Sequence, residues 1–172
     1  HLYYSDIDKW IQFLLSAASP KEFKNRLLLS NFLDKLIIAY DDKNIFALKR
    51  VYAKDGVVLV GRILYESDDN SLEFKNKSGI IQDQIRYSEQ SGEQYIENLG
   101  RLFQKSRMIH IDYDGIKLWR LPRRNNTYAI IFDQDWTSVN ENGFEYQDTG
   151  VVLLIVELHQ NDFLILNRVW GH

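Results

Sequence analysis

The chain contains no cysteine among its 172 residues. Disulfides, thiolate nucleophiles and cysteine metal sites are therefore excluded, while the compartment stays open, since exported proteins also lack cysteine. Charge of one sign is scarce too: the formal net charge is −3. Such a balance creates no global field to draw in nucleic acid or anionic lipid. No apolar run approaches the ~20 residues of a membrane-spanning helix. A Gly-rich phosphate loop, a G-x-S-x-G elbow and an H-E-x-x-H pair are all missing from the sequence, which removes the short motifs with a recognisable mechanism. The first residue is His1, so we expect a processed or trimmed form whose targeting segment is out of view. Localisation is left open.

Apolar and aromatic side chains are plentiful. The hydrophobic fraction is 45%, with 10 Tyr, 9 Phe and 4 Trp. This is enough to bury the core of one domain spanning residues 1–172.

Helical signals fill the first part of the chain. Ser5 to Asp8 opens a first helix with Ile7, Trp10, Ile11, Leu14 and Leu15 on one stripe. Ser19-Pro20-Lys21-Glu22 combines a cap, a proline suited to the first turn and a glutamate that closes a capping box. The second helix runs to about Tyr40, with Leu29, Leu33, Leu36, Ile37 and Tyr40 on one face. A short third helix carries Ile45, Leu48 and Tyr52, and Gly56 reads as its stop. Val57–Tyr65 reads as a strand, and Asp68–Ser71 as a turn. Residues 68–87 form an insert with short strands at Leu72–Lys75 and Gln84–Ser88. Ser91 to Gln94 caps a last helix whose stripe is Tyr95/Ile96, Leu99 and Phe103.

The final third is β-type, in runs Met108–Leu121, Thr127–Trp136, Gly150–His159 and Asp162–Trp170. The alternation Ile109, Ile111, Tyr113 changes phase at Asp114-Gly115 and resumes with Ile116 and Leu118, which predicts a β-bulge. Pro122–Asn126 is a hairpin turn, Gln160-Asn161 a tight one, and Thr137–Gln147 reads as a long polar loop. In the third run Val151, Leu153 and Ile155 are apolar on one face, and Val152, Leu154, Val156 and Leu158 on the other. Something should therefore cover the second face, either the N-terminal helix or another subunit.

This order of elements, helices first and a bent antiparallel sheet last, resembles the nuclear transport factor 2-like superfamily. Phe32-Leu33 and Ala39-Tyr40, followed by Tyr52-Ala53-Lys54-Asp55-Gly56-Val57, resemble its opening helices and first strand. Tyr128-Ala129-Ile130, Gln134-Asp135-Trp136, Tyr146 to Gly150 and Asn167-Arg168-Val169-Trp170 resemble the C-terminal pattern of a bacterial subfamily of unknown function. The similarity spans about Leu27 to Trp170; residues 1–18 and 68–87 depart from the minimal fold. It implies an α+β cone, a curled antiparallel sheet wrapped on three or four helices around a cavity.

The superfamily includes ketosteroid isomerase-like enzymes, which work with a carboxylate base in an apolar pocket. Asp112, Asp133, Asp135 and Glu157 are the acids to weigh. If Tyr128, Ile130, Phe132, Gln134 and Trp136 face inward, Asp133 and Asp135 face out, which leaves Asp112 and Glu157 as candidate bases. A solvated or salt-bridged role is the plainer reading for both. Gln134, Trp136, Arg168 and Trp170, expected on neighbouring strands, form a candidate ligand site with Tyr128 and Tyr113. Arg168 could grip a carboxylate or phosphate between indole rings, or stack on a tryptophan and pair with Asp148 to pin the sheet end. His110 and Asp112 point the same way, but a third metal ligand has no source, and no metal or cofactor is expected. The basic hairpin of Lys117, Arg120, Arg123 and Arg124 reads as a solvated turn.

The first functional expectation is a non-catalytic small-molecule or peptide binding module, paired as a homodimer through its outer sheet face. A ketosteroid isomerase-like or dehydratase-like enzyme and a structural interaction domain are the alternatives. Neither nucleic acid nor membrane insertion is expected.

Overall fold

The computed structural model of the chain describes residues 11–64, 84–124 and 126–171. The expected start of the first helix and most of the 68–87 insert, its Leu72–Lys75 strand included, lie outside these residues.

Residues 11–15 are helical. Helix α1 (Pro20–Asp41) starts as its sequence prescribes, with the Ser19 hydroxyl accepting from the Glu22 N–H and Pro20 in the first turn. The Glu22 carboxylate reaches back to the N–H of Ala18, one residue before the cap. Leu29, Phe32, Leu33, Leu36, Ala39 and Tyr40 form the buried face. At ~1.5–3 kcal/mol for each large apolar side chain, this face outweighs the ~1 kcal/mol of a cap by far. Packing, not capping, holds the helix in place.

Helix α2 (Ile45–Val51) is capped by Asn44. Gly56 does not stop it. The helix ends at Tyr52, where strand β1 (Tyr52–Leu64) begins. Gly56 lies inside that strand, beside an irregularity, and a Cβ there would sit 2.5 Å from the carbonyl oxygen of Leu166. Close backbone approach, not helix termination, demands the glycine.

Strand β2 (Gln84–Ser91) leads into α3 (Gly92–Lys105), whose capping box is complete between Ser91 and Gln94. Then follow β3 (Ser106–Arg120), β4 (Thr127–Asn140), β5 (Glu145–His159) and β6 (Asp162–Gly171). The expected 137–147 loop is mostly hairpin: Thr137 pairs with Gln147 and Ser138 with Tyr146, so only residues 141–144 turn. Polar residues belong to a strand here because the hairpin extends past the core and largely exposes its end to water.

The strands make one curled, unclosed sheet in the order β2-β1-β6-β5-β4-β3. All pairs are antiparallel except β1 with β6. The predicted bulge in β3 is present between Asp114 and Lys117, with Gly115 at φ +61°. The helices pack into the concave side. Val152, Leu154 and Val156 of β5 are fully buried against them, while Leu153 and Ile155 on the outer face are half-buried and Val151 is exposed. The described part of the N-terminal segment does not cover that outer face: Phe13 joins the inner core, and Arg26 of α1 lies over its ring.

Candidate functional site

Arg168 is the only charged residue buried among the described residues. Its inward aim depends on a register shift. Phe163 and Ile165 point into the core, so strict alternation would turn Arg168 outward. An irregularity opposite Ile155/Val156 resets the phase, and Arg168 and Trp170 face inward.

Strand β5 lies between β4 and β6, so Gln134 and Arg168 are not on neighbouring strands as expected. They meet nonetheless. Gln134 is opposite Gly150 of the intervening strand, where a Cβ would stand 2.7 Å from the Gly171 carbonyl oxygen and 3.4 Å from the Trp170 ring. Across that strand, Arg168 Nη2 donates to Gln134 Oε1 at 2.8 Å. The guanidinium also lies 5.9 Å from the Trp170 ring and 6.0 Å from the Tyr95 ring. Nη1 is buried and has no hydrogen-bond partner among the described residues.

Tyrosines line the rest. The Tyr40 hydroxyl is 2.9 Å from that of Tyr52 and 2.7 Å from that of Tyr95. Tyr113 is fully buried, packs at a tilt on Phe132 with ring centres 4.3 Å apart, and feels the Arg168 guanidinium directly. Burial is the largest effect on Tyr40, Tyr52 and Tyr113 and pushes all three phenols well above their ordinary range, although Arg168 draws each down. Burial works against the charge on Arg168 and the surrounding tyrosines work for it; the guanidinium keeps its proton in any case. At neutral pH the phenols are uncharged, so they offer dipoles and not counter-charges. No carboxylate forms an ion pair with Arg168 among the described residues, and the expected pairing with Asp148 is absent; Asp148 accepts from the Tyr146 hydroxyl. The arrangement is a positive charge in a buried aromatic cage.

Of the expected site residues, Gln134, Arg168, Trp170 and Tyr113 come together. Trp136 is half-buried at the margin, 6.0 Å edge-on from Tyr40. Tyr128 lies at the far end of β4, about 20 Å along the strand at ~3.3 Å per residue, where Asn25 donates to its hydroxyl. Asp112 and Glu157 both face the outer side of the sheet. Asp112 accepts from the N–H of Tyr113, and Glu157 pairs with His159. His110 contacts Asp41, and no group of three or more metal-ligating side chains gathers among the described residues. Arg120, Arg123 and Arg124 are exposed. A groove of about 680 Å³ runs between Phe13, Arg26 and the bulged part of β3, apart from the Arg168 cluster.

Sequence reasoning did not assign Tyr40, Tyr52 and Tyr95 to the site. Each sat on an apolar stripe and was read as core. The available signal was the hydroxyl itself, since a buried phenol needs a partner.

No protein-family model matches the chain, and no curated protein matches it by sequence. Solved structures do match. A nuclear transport factor 2-like superfamily protein from Salmonella enterica serovar Typhimurium superposes with a TM-score of 0.61 at 11% identity, over 88% of this chain and 92% of that one. Aln2 from a Streptomyces species gives 0.58 at 11% identity, covering 91% and 94%. LinA gives 0.58 at 12%, covering 85% and 84%. The fold is thus the nuclear transport factor 2-like cone, as the resemblance implied.

Proposed function

We propose that this protein is a non-catalytic binding module that holds a small anionic molecule inside its cone, with Arg168 as the anchor. The observation behind this reading is a buried guanidinium with no carboxylate partner, and an Nη1 with no hydrogen-bond partner, among the described residues. A buried ion is costly without a counter-charge, and a bound carboxylate or phosphate would supply one together with strong hydrogen bonds. Gln134 fixes the plane of the guanidinium, and the Trp170 and Tyr95 rings flank it. Tyr95 is the half-buried member of the cage, and we take its ring as the flap that turns aside to admit the ligand.

The enzyme alternative has less support. Neither Asp112 nor Glu157 faces the cage, and the groups that do are phenols held in their protonated form. We also propose that the outer face of the sheet, with exposed Val151 and half-buried Leu153 and Ile155, pairs with a second copy of the chain.

The test is a screen of small anions by tryptophan fluorescence, which Trp170 and Trp136 should report, on the wild type and Arg168→Met. Binding by the wild type that the variant loses is expected; an anion held equally well by both would remove Arg168 from the proposal.

A further inference from the structure

Building on the anion-binding reading, we infer that the ligand is a monocarboxylate on a flat, apolar or aromatic body, and not a phosphate ester. Three features of the cage lead there.

The first is charge. Arg168 is alone: the other buried polar residues among those described are Ser30, Ser106, Thr127, Gln134 and Ser138, all neutral. A monoanion brings the buried site to neutrality. A phosphate monoester carries about −1.5 to −2 at neutral pH and would leave an unmatched negative charge in a buried site.

The second is the kind of donor. Arg168 Nη2 donates to Gln134, and Nη1 has no hydrogen-bond partner among the described residues. The hydroxyls of Tyr40, Tyr52 and Tyr95 are joined by two hydrogen bonds. Three hydroxyls carry three protons, so two bonds leave one proton to give. A guanidinium edge beside a phenol suits the two coplanar oxygens of a carboxylate.

The third is shape. The Trp170 and Tyr95 rings flank the guanidinium at 5.9 and 6.0 Å, and Tyr52 packs on Tyr95 at 5.1 Å. When Tyr95 turns aside, the space it leaves is bounded by ring faces, against which a planar body stacks.

The experiment compares three probes that share one ring: benzoate, phenyl phosphate and the neutral benzamide. Each is titrated into wild type, Arg168→Met and Arg168→Lys by calorimetry and tryptophan fluorescence. The pH is set near ~8, above the second phosphate pKa of about 6. Benzoate is expected to bind at least about tenfold more tightly than either other probe, as the loss of one charge-assisted contact implies. Arg168→Met should abolish the preference, and Arg168→Lys should keep the charge discrimination at reduced affinity. Phenyl phosphate binding as tightly as benzoate, with both lost in Arg168→Met, overturns the monocarboxylate inference and leaves the anion anchor standing. Benzamide binding as tightly as benzoate, benzoate binding unchanged in Arg168→Met, or no binding of any probe overturns the anion-binding reading as well.

Discussion

Replacing Arg168 by methionine should cost the unliganded protein little, although the residue is only 4% exposed. The loss side has three parts. The charge-assisted bond to Gln134 is worth ~1.5–3 kcal/mol. The two ring contacts lie near the outer limit for cation–π attraction, worth about 0.5–2 kcal/mol each. Gln134, itself 1% exposed, is left with an unpaired amide at ~1–3 kcal/mol. On the gain side, an uncompensated buried cation carries a penalty of several kcal/mol, and a buried methionine contributes ~1.5–3 kcal/mol. The two sides overlap, and the net cost should stay below about 3 kcal/mol. The partner change is asymmetric. Gln134→Leu strands Arg168 Nη2, and we expect it to destabilise by about 2–4 kcal/mol. The double variant Arg168→Met/Gln134→Leu leaves neither group stranded and should be about 1–3 kcal/mol more stable than Arg168→Met alone. Urea unfolding gives the four free energies of the cycle. For a chain of 172 residues, each kcal/mol should also move Tm by about 2–4 °C. Should Arg168→Met alone lose more than about 3 kcal/mol, as broken buried ion pairs do, the guanidinium is already compensated inside the protein and the case for a ligand counter-charge collapses.

Other outcomes follow from the same geometry. Tyr40, Tyr52 and Tyr113 hold their protons more tightly folded than unfolded; their contribution is full below pH ~10 and is lost as pH rises above it, by about 1.4 kcal/mol per phenol per pH unit. Urea midpoints between about pH 9 and 11 should therefore fall steeply, and a flat profile would show that these hydroxyls ionise freely in the native state. Gly92→Ala should unfold the protein or cost more than about 3 kcal/mol, because its Cβ would lie 1.9 Å from the Ala53 carbonyl oxygen. Gly100→Ala in the same helix meets only the Ile45 side chain at 3.6 Å and should stabilise by about 0.5–1 kcal/mol; equal thermal melts for the two variants would refute the packing argument. Light scattering should give the mass of a dimer for the wild type and of a monomer for Ile155→Lys, and a monomeric wild type would end the outer-face pairing proposal.

Much of the architecture was legible because its signals are local. The Ser91/Gln94 capping box, the Ser19-Pro20 helix start and the phase change at Gly115 each involve residues a few positions apart, where chain geometry leaves few choices. Locality also explains the errors. Gly56 carries the composition of a helix stop, but its reason is the Leu166 backbone, more than a hundred positions away. The polar ends of β4 and β5 read as loop because alternation reports burial, and neither face is well buried there.

Taken alone, the amino-acid order determined the element types, most of the caps, the bend in β3 and the pairing of Arg168 with Trp170 on one face, because period and capping act between near neighbours. Only the tertiary structure decided which face that was, since a single register shift in β6 reverses it. It alone decided that Gln134 and Arg168 meet across the intervening strand β5. And it brought hydroxyls from α1, from the α2–β1 junction and from α3 to one point. Such convergence is set by packing between distant segments, to which no local pattern is sensitive.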